Sequence, residues 1–166
     1  MPDPLATAIA TELLHRECRC LDARDWTGWL DLYAPHAVYW VPAWRDENTQ
    51  TSDPDTEISQ IYHDSRRGLE ERVMRVRSGK SVTALPLPRT THFVSNIEGG
   101  LLPDGAIGAQ ASWMVQIYHP RTERQHCNFG RYELRLGQTD AGWIIERKII
   151  RLQNDTVPAL VDFYTL

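Results

Sequence analysis

The sequence predicts an α+β fold in which helices come first and a curved, mainly antiparallel sheet follows. Apolar residues recur at helical spacing in the first part of the chain, and from near residue 90 they alternate with polar residues at a period of two. Turn-forming residues separate the alternating runs, so successive strands are expected to pair as hairpins. The 166 residues are expected to form one domain spanning 1–166.

Two helices are predicted before residue 36. The apolar stripe of the first helix consists of Leu5, Ile9, Leu13, Leu14, Cys18 and Leu21. The second helix is short and begins at Asp25, a residue type that caps helix N-termini well. From Asp25 the helix is expected to continue through Trp26, Trp29, Leu30 and Tyr33. Pro35 is expected to end it, because proline lacks the backbone N–H that a helix needs.

A short strand, a polar loop and a third helix are predicted next. The strand covers residues 37–41 and the loop covers 44–56, with Pro54 near its end. The helix covers about Ser65 to Arg77, and Gly79 stands where a helix stop is expected. The apolar stripe of this helix is Leu69, Val73 and Val76.

The second half of the chain predicts a meander of long strands. The run 107–118 alternates with a period of two, and the turn residues 103–105 before it make 90–98 its expected hairpin partner. Two further strands, 126–136 and 143–152, are expected around a turn at 137–142. This order of helices and strands is similar to the cone of the nuclear-transport-factor-2-like fold.

Charge and composition argue against two classes of partner, nucleic acids and membranes. The net charge is −4, whereas general binding of nucleic acid requires a basic face. The arginines between 66 and 77 are interrupted by Glu70 and Glu71, which indicates a solvated, ion-paired helix face. Neither a signal peptide nor a membrane-spanning run is apparent, so we expect a cytoplasmic protein without a membrane partner.

The cysteines and histidines do not form a recognisable metal motif. No two histidines are three or four residues apart, and Cys18 and Cys20 would point about 200° apart on a helix. A Rieske cluster needs two Cys-x-His-like arms, and no cysteine has a histidine two residues after it. Spacing leaves open an iron site of two histidines and a carboxylate, because such ligands can be distant in sequence. We expect no cofactor or metal in this chain.

One enzymatic interpretation stays open at this point. A small α+β cone can enclose an acid/base pair whose pKa values are shifted by burial. The candidates for such a pair are Asp25, His36, Tyr39 and His92. The chain would then be a stand-alone dehydratase, cyclase or isomerase, whereas the competing interpretation of His92 is a hydrogen-bonded structural histidine.

A series of short motifs carries a family resemblance. In chain order the motifs are Trp40-Val41-Pro42-Ala43-Trp44, Thr51-Ser52-Asp53-Pro54, Glu57-Ile58-Ser59-Gln60-Ile61-Tyr62, Arg67-Gly68-Leu69-Glu70-Glu71-Arg72-Val73, Arg89-Thr90-Thr91-His92-Phe93-Val94-Ser95-Asn96-Ile97, and Asn154-Asp155 with the apolar tail 157–166. Each motif is weak alone, but their order and spacing are specific. The chain resembles the small β subunits of aromatic-ring-hydroxylating dioxygenases, most of all the benzoate and anthranilate branch.

The resemblance implies a structural role and a division of labour. Members adopt the cone described above, and three β subunits associate with each other and with three catalytic α subunits in an α3β3 hexamer. The Rieske [2Fe-2S] cluster and the mononuclear iron belong to the α subunit. A reductase, in some systems with a ferredoxin, delivers electrons from NADH. The reaction adds dioxygen to an aromatic ring, here expected to be benzoate-like, and gives a cis-dihydrodiol. No catalytic residue is implied for the β subunit.

The resemblance also directs attention to a candidate subunit interface. We expect Trp40, Pro42 and Trp44 to lie there, because aromatic anchors are frequent in interfaces and Pro42 marks a strand end. The polar loop after Trp44 and the proline-rich segment 84–88 are further candidates.

Overall fold

The computed structural model describes residues 1–80, 86–158 and 161–166, and in these ranges it contains three α-helices and a six-stranded sheet. The helices are α1 (Pro4–Asp22), α2 (Trp26–Leu30) and α3 (Arg66–Ser78). The strands are β1 (Tyr33–Pro42), β2 (Ser59–His63), β3 (Arg89–Leu101), β4 (Ile107–His119), β5 (Arg124–Thr139) and β6 (Gly142–Leu152). The predicted α+β class and the nuclear-transport-factor-2-like cone are confirmed.

The strand order in the sheet is β2-β1-β6-β5-β4-β3. The β1–β6 pair is parallel and the other four neighbouring pairs of the described strands are antiparallel, as the hairpins of the second half require. Paired residues share a face of the sheet and alternate residues take opposite faces. We call the face that carries Trp113, Tyr132 and Lys148 the inner face, and the opposite one the outer face.

Helix α1 lies along the edge strand β3 and satisfies part of its exposed backbone. Asp3 caps the helix by accepting from the N–H of Ala6 at 2.7 Å, and the N–H of Asp3 donates to the carbonyl of Gly99 at 2.7 Å. At the other end of the helix, Asp22 accepts from the N–H of His92 at 2.9 Å. Gly99 permits the close approach, since a Cβ there would lie 2.7 Å from the carbonyl oxygen of Ala6. The edge is thereby protected from pairing with another chain.

The predicted stripe of α1 is wrong at its first member. Leu5 is 70% exposed, whereas Ala6 and Ala10 are buried together with Leu13, Leu14, Glu17, Cys18 and Leu21. The backbone of Ala6 lies against Gly99 of β3, and the Ala6 side chain is buried where that of Leu5 is exposed.

The predicted second helix is too long. It ends at Leu30, and Tyr33 already belongs to β1, where it pairs with Ile145 of β6. Pro35 therefore lies inside a strand, in the stretch between Tyr33 and Val38 where the pairing with β6 is interrupted. Tertiary pairing has overridden the helical spacing of the tryptophans, and β1 is longer than the predicted 37–41.

Two further differences concern β2 and the last hairpin. The strand β2 was not predicted, because Ile61 is its one fully buried residue and no alternation marks it. The turn after β5 is shorter than the predicted 137–142. The strand continues to Thr139 and β6 begins at Gly142, whose φ of +121° suits glycine.

Candidate functional site

A buried ion pair occupies the space between α1 and the inner face. Glu17 and Lys148 are each 1% exposed, and the ammonium of Lys148 donates to Glu17 Oε2 at 2.7 Å. The indole of Trp29 donates to Glu17 Oε1 at 3.2 Å, and the hydroxyl of Tyr33 donates to the same oxygen. The Lys148 ammonium also lies 3.7 Å from the ring centroid of Tyr132. The two charges are thus neutralised by each other and by neutral donors.

The tyrosines around this pair are held in their neutral form. Burial, and secondly the charge of Glu17, raise the pKa values of Tyr33, Tyr39 and Tyr132 well above the ordinary value. A phenol in this state does not serve as a base near neutral pH. The network therefore acts as a polar core that connects α1 to β6.

Sequence reasoning missed this ion pair, although a signal was present. Glu17 stands on the buried stripe of α1, four residues after Leu13 and four before Leu21. Lys148 lies two and four residues before the buried Ile150 and Leu152 of β6. An acidic and a basic residue in the apolar phase of two elements predict a buried pair.

His92, the candidate acid/base residue on β3, is fully engaged by its own chain. Its Nδ1 lies 2.6 Å from Asp22 Oδ1 and its Nε2 lies 3.1 Å from the main-chain oxygen of Leu166. The side chain is only 1% exposed. No ring nitrogen is left for a substrate, and this favours the structural histidine over the catalytic one.

The contacts with His92 also lower the pKa of Asp22. Burial alone would raise its pKa, but hydrogen bonds from the side chain and N–H of His92, and from Thr90, outweigh burial and lower it. The carboxylate is therefore a fixed acceptor that joins the end of α1 to β3.

The other three candidates of the enzymatic interpretation lie apart from His92. Asp25 accepts from the N–H of Gly28 at 3.0 Å and caps α2, as predicted. The side chain of His36 is 71% exposed, and its Nε2 lies 3.6 Å from Glu146. Tyr39 is buried against Trp29, with ring centroids 6.3 Å apart. Within the described ranges, none of these four side chains hydrogen-bonds to another, so they form no acid/base pair.

Metal-binding groups are likewise dispersed. In the part of the chain that the structure describes, no three side chains of His, Cys, Asp or Glu come close enough to hold a metal ion. Cys18 is buried, and burial, followed by the charge of Glu17, raises its pKa to about 12. Its thiol therefore stays protonated and fills the core, as predicted. Among the described helices, none is both long and apolar enough to cross a membrane.

The predicted interface residues lie where β1 ends. Trp40 is 7% exposed, and its indole donates to the hydroxyl of Ser59 at 2.9 Å. Pro42 is buried, while Trp44 is partly exposed and donates to the carbonyl of Leu152 at 2.8 Å. Of these three residues, Trp44 has the largest exposed fraction in the single chain. Their place in an interface stays a prediction. Of the segment 84–88, residues 84 and 85 lie outside the described residues.

The outer face carries an exposed apolar row that sequence reasoning missed. Phe93 pairs with Met114, and Met114 pairs with Phe129, so the three side chains lie side by side on β3, β4 and β5. They are 49%, 39% and 47% exposed, respectively. We call these three residues the apolar row. The signal was Met114, an apolar residue in the polar phase of β4 between Ser112 and Gln116.

Comparisons with known proteins agree with this geometry. A family model described as "Ring hydroxylating beta subunit" matches residues 16–159. The small subunit of anthranilate 1,2-dioxygenase from Acinetobacter baylyi is 36% identical over 154 residues, which is 93% of each chain. The β subunit of benzoate 1,2-dioxygenase from the same organism is 33% identical over 162 residues, covering 98% of this chain and 95% of that one. The crystal structure of the benzoate 1,2-dioxygenase β subunit from Burkholderia mallei superposes with a TM-score of 0.79 at 30% identity, covering 100% and 99% of the two chains.

Proposed function

The chain belongs to the family of ring-hydroxylating β subunits, and we propose that it is the structural subunit of a multicomponent dioxygenase that hydroxylates a benzoate-like aromatic acid. In this proposal residues 1–166 act as one domain in the cytoplasm, and they hold catalytic α subunits in an α3β3 hexamer that contains a β trimer. The observation that carries the structural role is that two buried ionisable side chains, His92 and Glu17, are bonded within the chain itself. His92 is bonded at both ring nitrogens, and Glu17 is neutralised by Lys148.

The redox chemistry is assigned to the partners. The Rieske [2Fe-2S] cluster and the mononuclear iron would belong to the α subunit, and a reductase, with or without a ferredoxin, would bring electrons from NADH. Support comes from the dispersed Cys, His and acidic side chains of the described residues, which do not converge on a metal site. The role of this chain would be to hold its catalytic partners in position.

The substrate class follows from the named relatives. The matched proteins are subunits of dioxygenases for anthranilate, 2-halobenzoate, toluate and benzoate, which are all aromatic carboxylic acids. We extend this class to the complex that contains the present chain. Recognition of the carboxylate would rest with the α subunit.

Co-expression with the cognate α subunit tests the proposal. The two chains are expected to purify together, and conversion of benzoate to its cis-dihydrodiol is expected only when the α subunit and an electron source are present. Iron should be found in the complex and in the α subunit. Dihydrodiol production by this chain without the α subunit, or a failure to purify with it, would contradict the proposal.

Trp44 tests the proposed interface at the end of β1. Truncation of an interface tryptophan can cost about 2 kcal/mol or more of binding. If Trp44 contacts a neighbouring subunit, Trp44→Ala should weaken assembly while the thermal stability of the separated chain changes little. Sedimentation of the complex and thermal unfolding of the chain are the two measurements. Unfolding of the variant before any loss of assembly would place Trp44 in the core and remove it from the interface.

A further inference from the structure

The core is completed by residues 162–166, which we call the C-terminal strap. The strap contains a single turn of 3₁₀ helix, and its residues Phe163 and Leu166 are fully buried. The ring of Phe163 stacks on Trp29 with centroids 4.6 Å apart and lies edge-on to Trp26 at 5.2 Å. The strap therefore closes an aromatic cleft beside α2.

Two polar contacts tie the strap to the sheet. Asn128 on β5 is fully buried and donates from Nδ2 to the carbonyl of Thr165 at 3.0 Å. On β3, the Nε2 atom of His92 lies 3.1 Å from the main-chain oxygen of Leu166. The strap is therefore held to two strands by side chains that contact its backbone.

A third contact ties the strap to α3 and β2 through Arg72. The guanidinium donates from Nη1 to Asp162 Oδ1 at 2.9 Å, and it donates from Nε to Nε2 of His63 at 2.7 Å. The side chains of the ion pair are each 17% exposed, so water screens the pair only in part. Asp162, the first residue of the strap, thus holds the arginine against the histidine.

This arrangement requires His63 to be neutral. Arginine offers donors only, so Nε2 of His63 must be the acceptor and carries no proton. The neighbouring strand β1 contributes Tyr39, which pairs with His63, and burial raises the pKa of that phenol well above its ordinary value. His63 can therefore take up a second proton only at the atom that Arg72 contacts.

The charged groups around His63 come from α3 and from the strap. Burial, followed by the charges of Arg72 and Arg75, lowers the pKa of His63 below 6.5, while the opposing effects of Glu71 and Asp162 are outweighed. When the strap is undocked, His63 is less buried and the arginine is free to turn to solvent, so the ring takes up a proton more readily. Docking is therefore favoured above the ordinary histidine pKa and weakens as the pH falls through the lower value of the docked state.

We propose that the C-terminal strap is a pH-sensitive latch, which is docked while His63 is neutral and is released when His63 takes up a proton. The proton occupies the Nε2 lone pair and places a positive charge against Arg72. The arginine then turns away, and its ion pair with Asp162 is lost. Release withdraws Phe163 from Trp29 and opens the aromatic cleft.

Amide hydrogen exchange of the full-length chain tests the latch. The backbone N–H groups of Phe163 and Thr165 bond within the strap, to the side chain and the carbonyl of Asp162, and report on its docking. Their protection factors, which are corrected for the intrinsic pH dependence of exchange, should fall about fivefold or more from about pH 7.5 to about pH 5.5. The buried strand β4 should keep its protection at Val115, because the strap opens without the sheet.

His63→Gln should remove the acid response, with His36→Gln as the matched control. Glutamine can accept from Arg72 through its side-chain oxygen and does not titrate, so the strap should stay protected in acid. The side chain of His36 is 71% exposed on β1, and its loss should leave the wild-type response unchanged. His92 is present in all three proteins, so any contribution of that ring to the pH dependence is common to them.

Asp162→Asn gives a second test that does not alter His63. Asparagine still caps the turn but cannot hold Arg72 by charge, so the strap should be less protected already at neutral pH and should lose little more in acid. Three results would overturn the proposal: unchanged strap protection of the wild type in acid, a parallel loss at Val115, or a full acid response in His63→Gln. If His63→Gln does not fold, a full acid response in Asp162→Asn would overturn it instead.

Discussion

At the scale of single residues, the interior of this chain is organised around a lysine and a glutamate rather than around apolar packing alone. Glu17 receives donors from Lys148, Trp29 and Tyr33, so both of its oxygens are satisfied. A buried ion pair of this kind need not add net stability, since its desolvation cost is large. Loss of one partner, however, leaves an uncompensated buried charge, and the pair is therefore sensitive to single substitutions.

Lys148→Met should destabilise the fold strongly. The substitution replaces the ammonium of Lys148 with an apolar side chain and leaves Glu17 charged and buried. An uncompensated buried charge typically costs about 3–5 kcal/mol of stability. The double variant Glu17→Gln/Lys148→Met should recover most of this loss, because glutamine is neutral and still offers an oxygen to Trp29 and Tyr33. Chemical denaturation of the three proteins measures the free energies of unfolding. A single variant as stable as the wild type would show that the pair is not buried as described.

Asp22 should make the fold sensitive to acid. Its pKa in the folded state lies below the ordinary 3.8, so the unfolded state takes up a proton more readily. The stability that Asp22 contributes is complete above its unfolded-state pKa and is lost as the pH falls through the lower, folded-state value. Asp22→Asn should flatten the loss of stability between about pH 5 and pH 2, whereas Asp140→Asn, in an exposed turn, should not. Thermal unfolding measured as a function of pH tests this. An equal loss of stability in acid for the wild type and Asp22→Asn would refute the assignment.

At the scale of elements, the sequence predicts the parts of the fold that have strong periodicity. The alternation in β4 and the turn residues before it predict a strand and its hairpin, and both are found. The tryptophans before Tyr33 have helical spacing, yet pairing with β6 draws Tyr33 into a strand. β2 has almost no pattern of its own and exists through its pairing with β1. Elements that depend on long-range partners are those that local patterns do not reveal.

The close packing of β5 against β6 gives a prediction at Gly130. A Cβ at this position would lie 1.9 Å from the carbonyl oxygen of Arg151, which belongs to the backbone and has little freedom to move. Gly130→Ala should therefore cost about 1–3 kcal/mol of stability. Gly108→Ala on β4 is the control, since its nearest contact would be the flexible side chain of Leu102 at 3.2 Å. Chemical denaturation should show the loss for Gly130→Ala alone, and equal stability of the two variants would contradict it.

At the scale of the whole molecule, the sequence predicts the family and the lack of a Rieske motif better than it predicts the contacts that form only in the folded chain. The absence of paired Cys/His arms argues against a Rieske cluster, and the ordered motifs identify the family. The binding partners of His92 come from α1 and from Leu166, which are distant in sequence, so its engagement could not be deduced from spacing. The apolar row was equally hidden, because its three members become neighbours only through strand register.

The central claim is that this chain supplies no reacting group to the dioxygenase. It is tested most directly by turnover per assembled complex after substitution of two of the four candidate acid/base residues, Asp25 and His92, one at a time. Asp25→Asn preserves the cap of α2, because asparagine caps as well as aspartate. His92→Asn is measured on complexes whose assembly is verified by sedimentation. A catalytic acid or base contributes about 10²–10⁴-fold to rate. Turnover of both variants within about twofold of the wild type is predicted, whereas a hundredfold loss with assembly intact would show that the chain takes part in the chemistry.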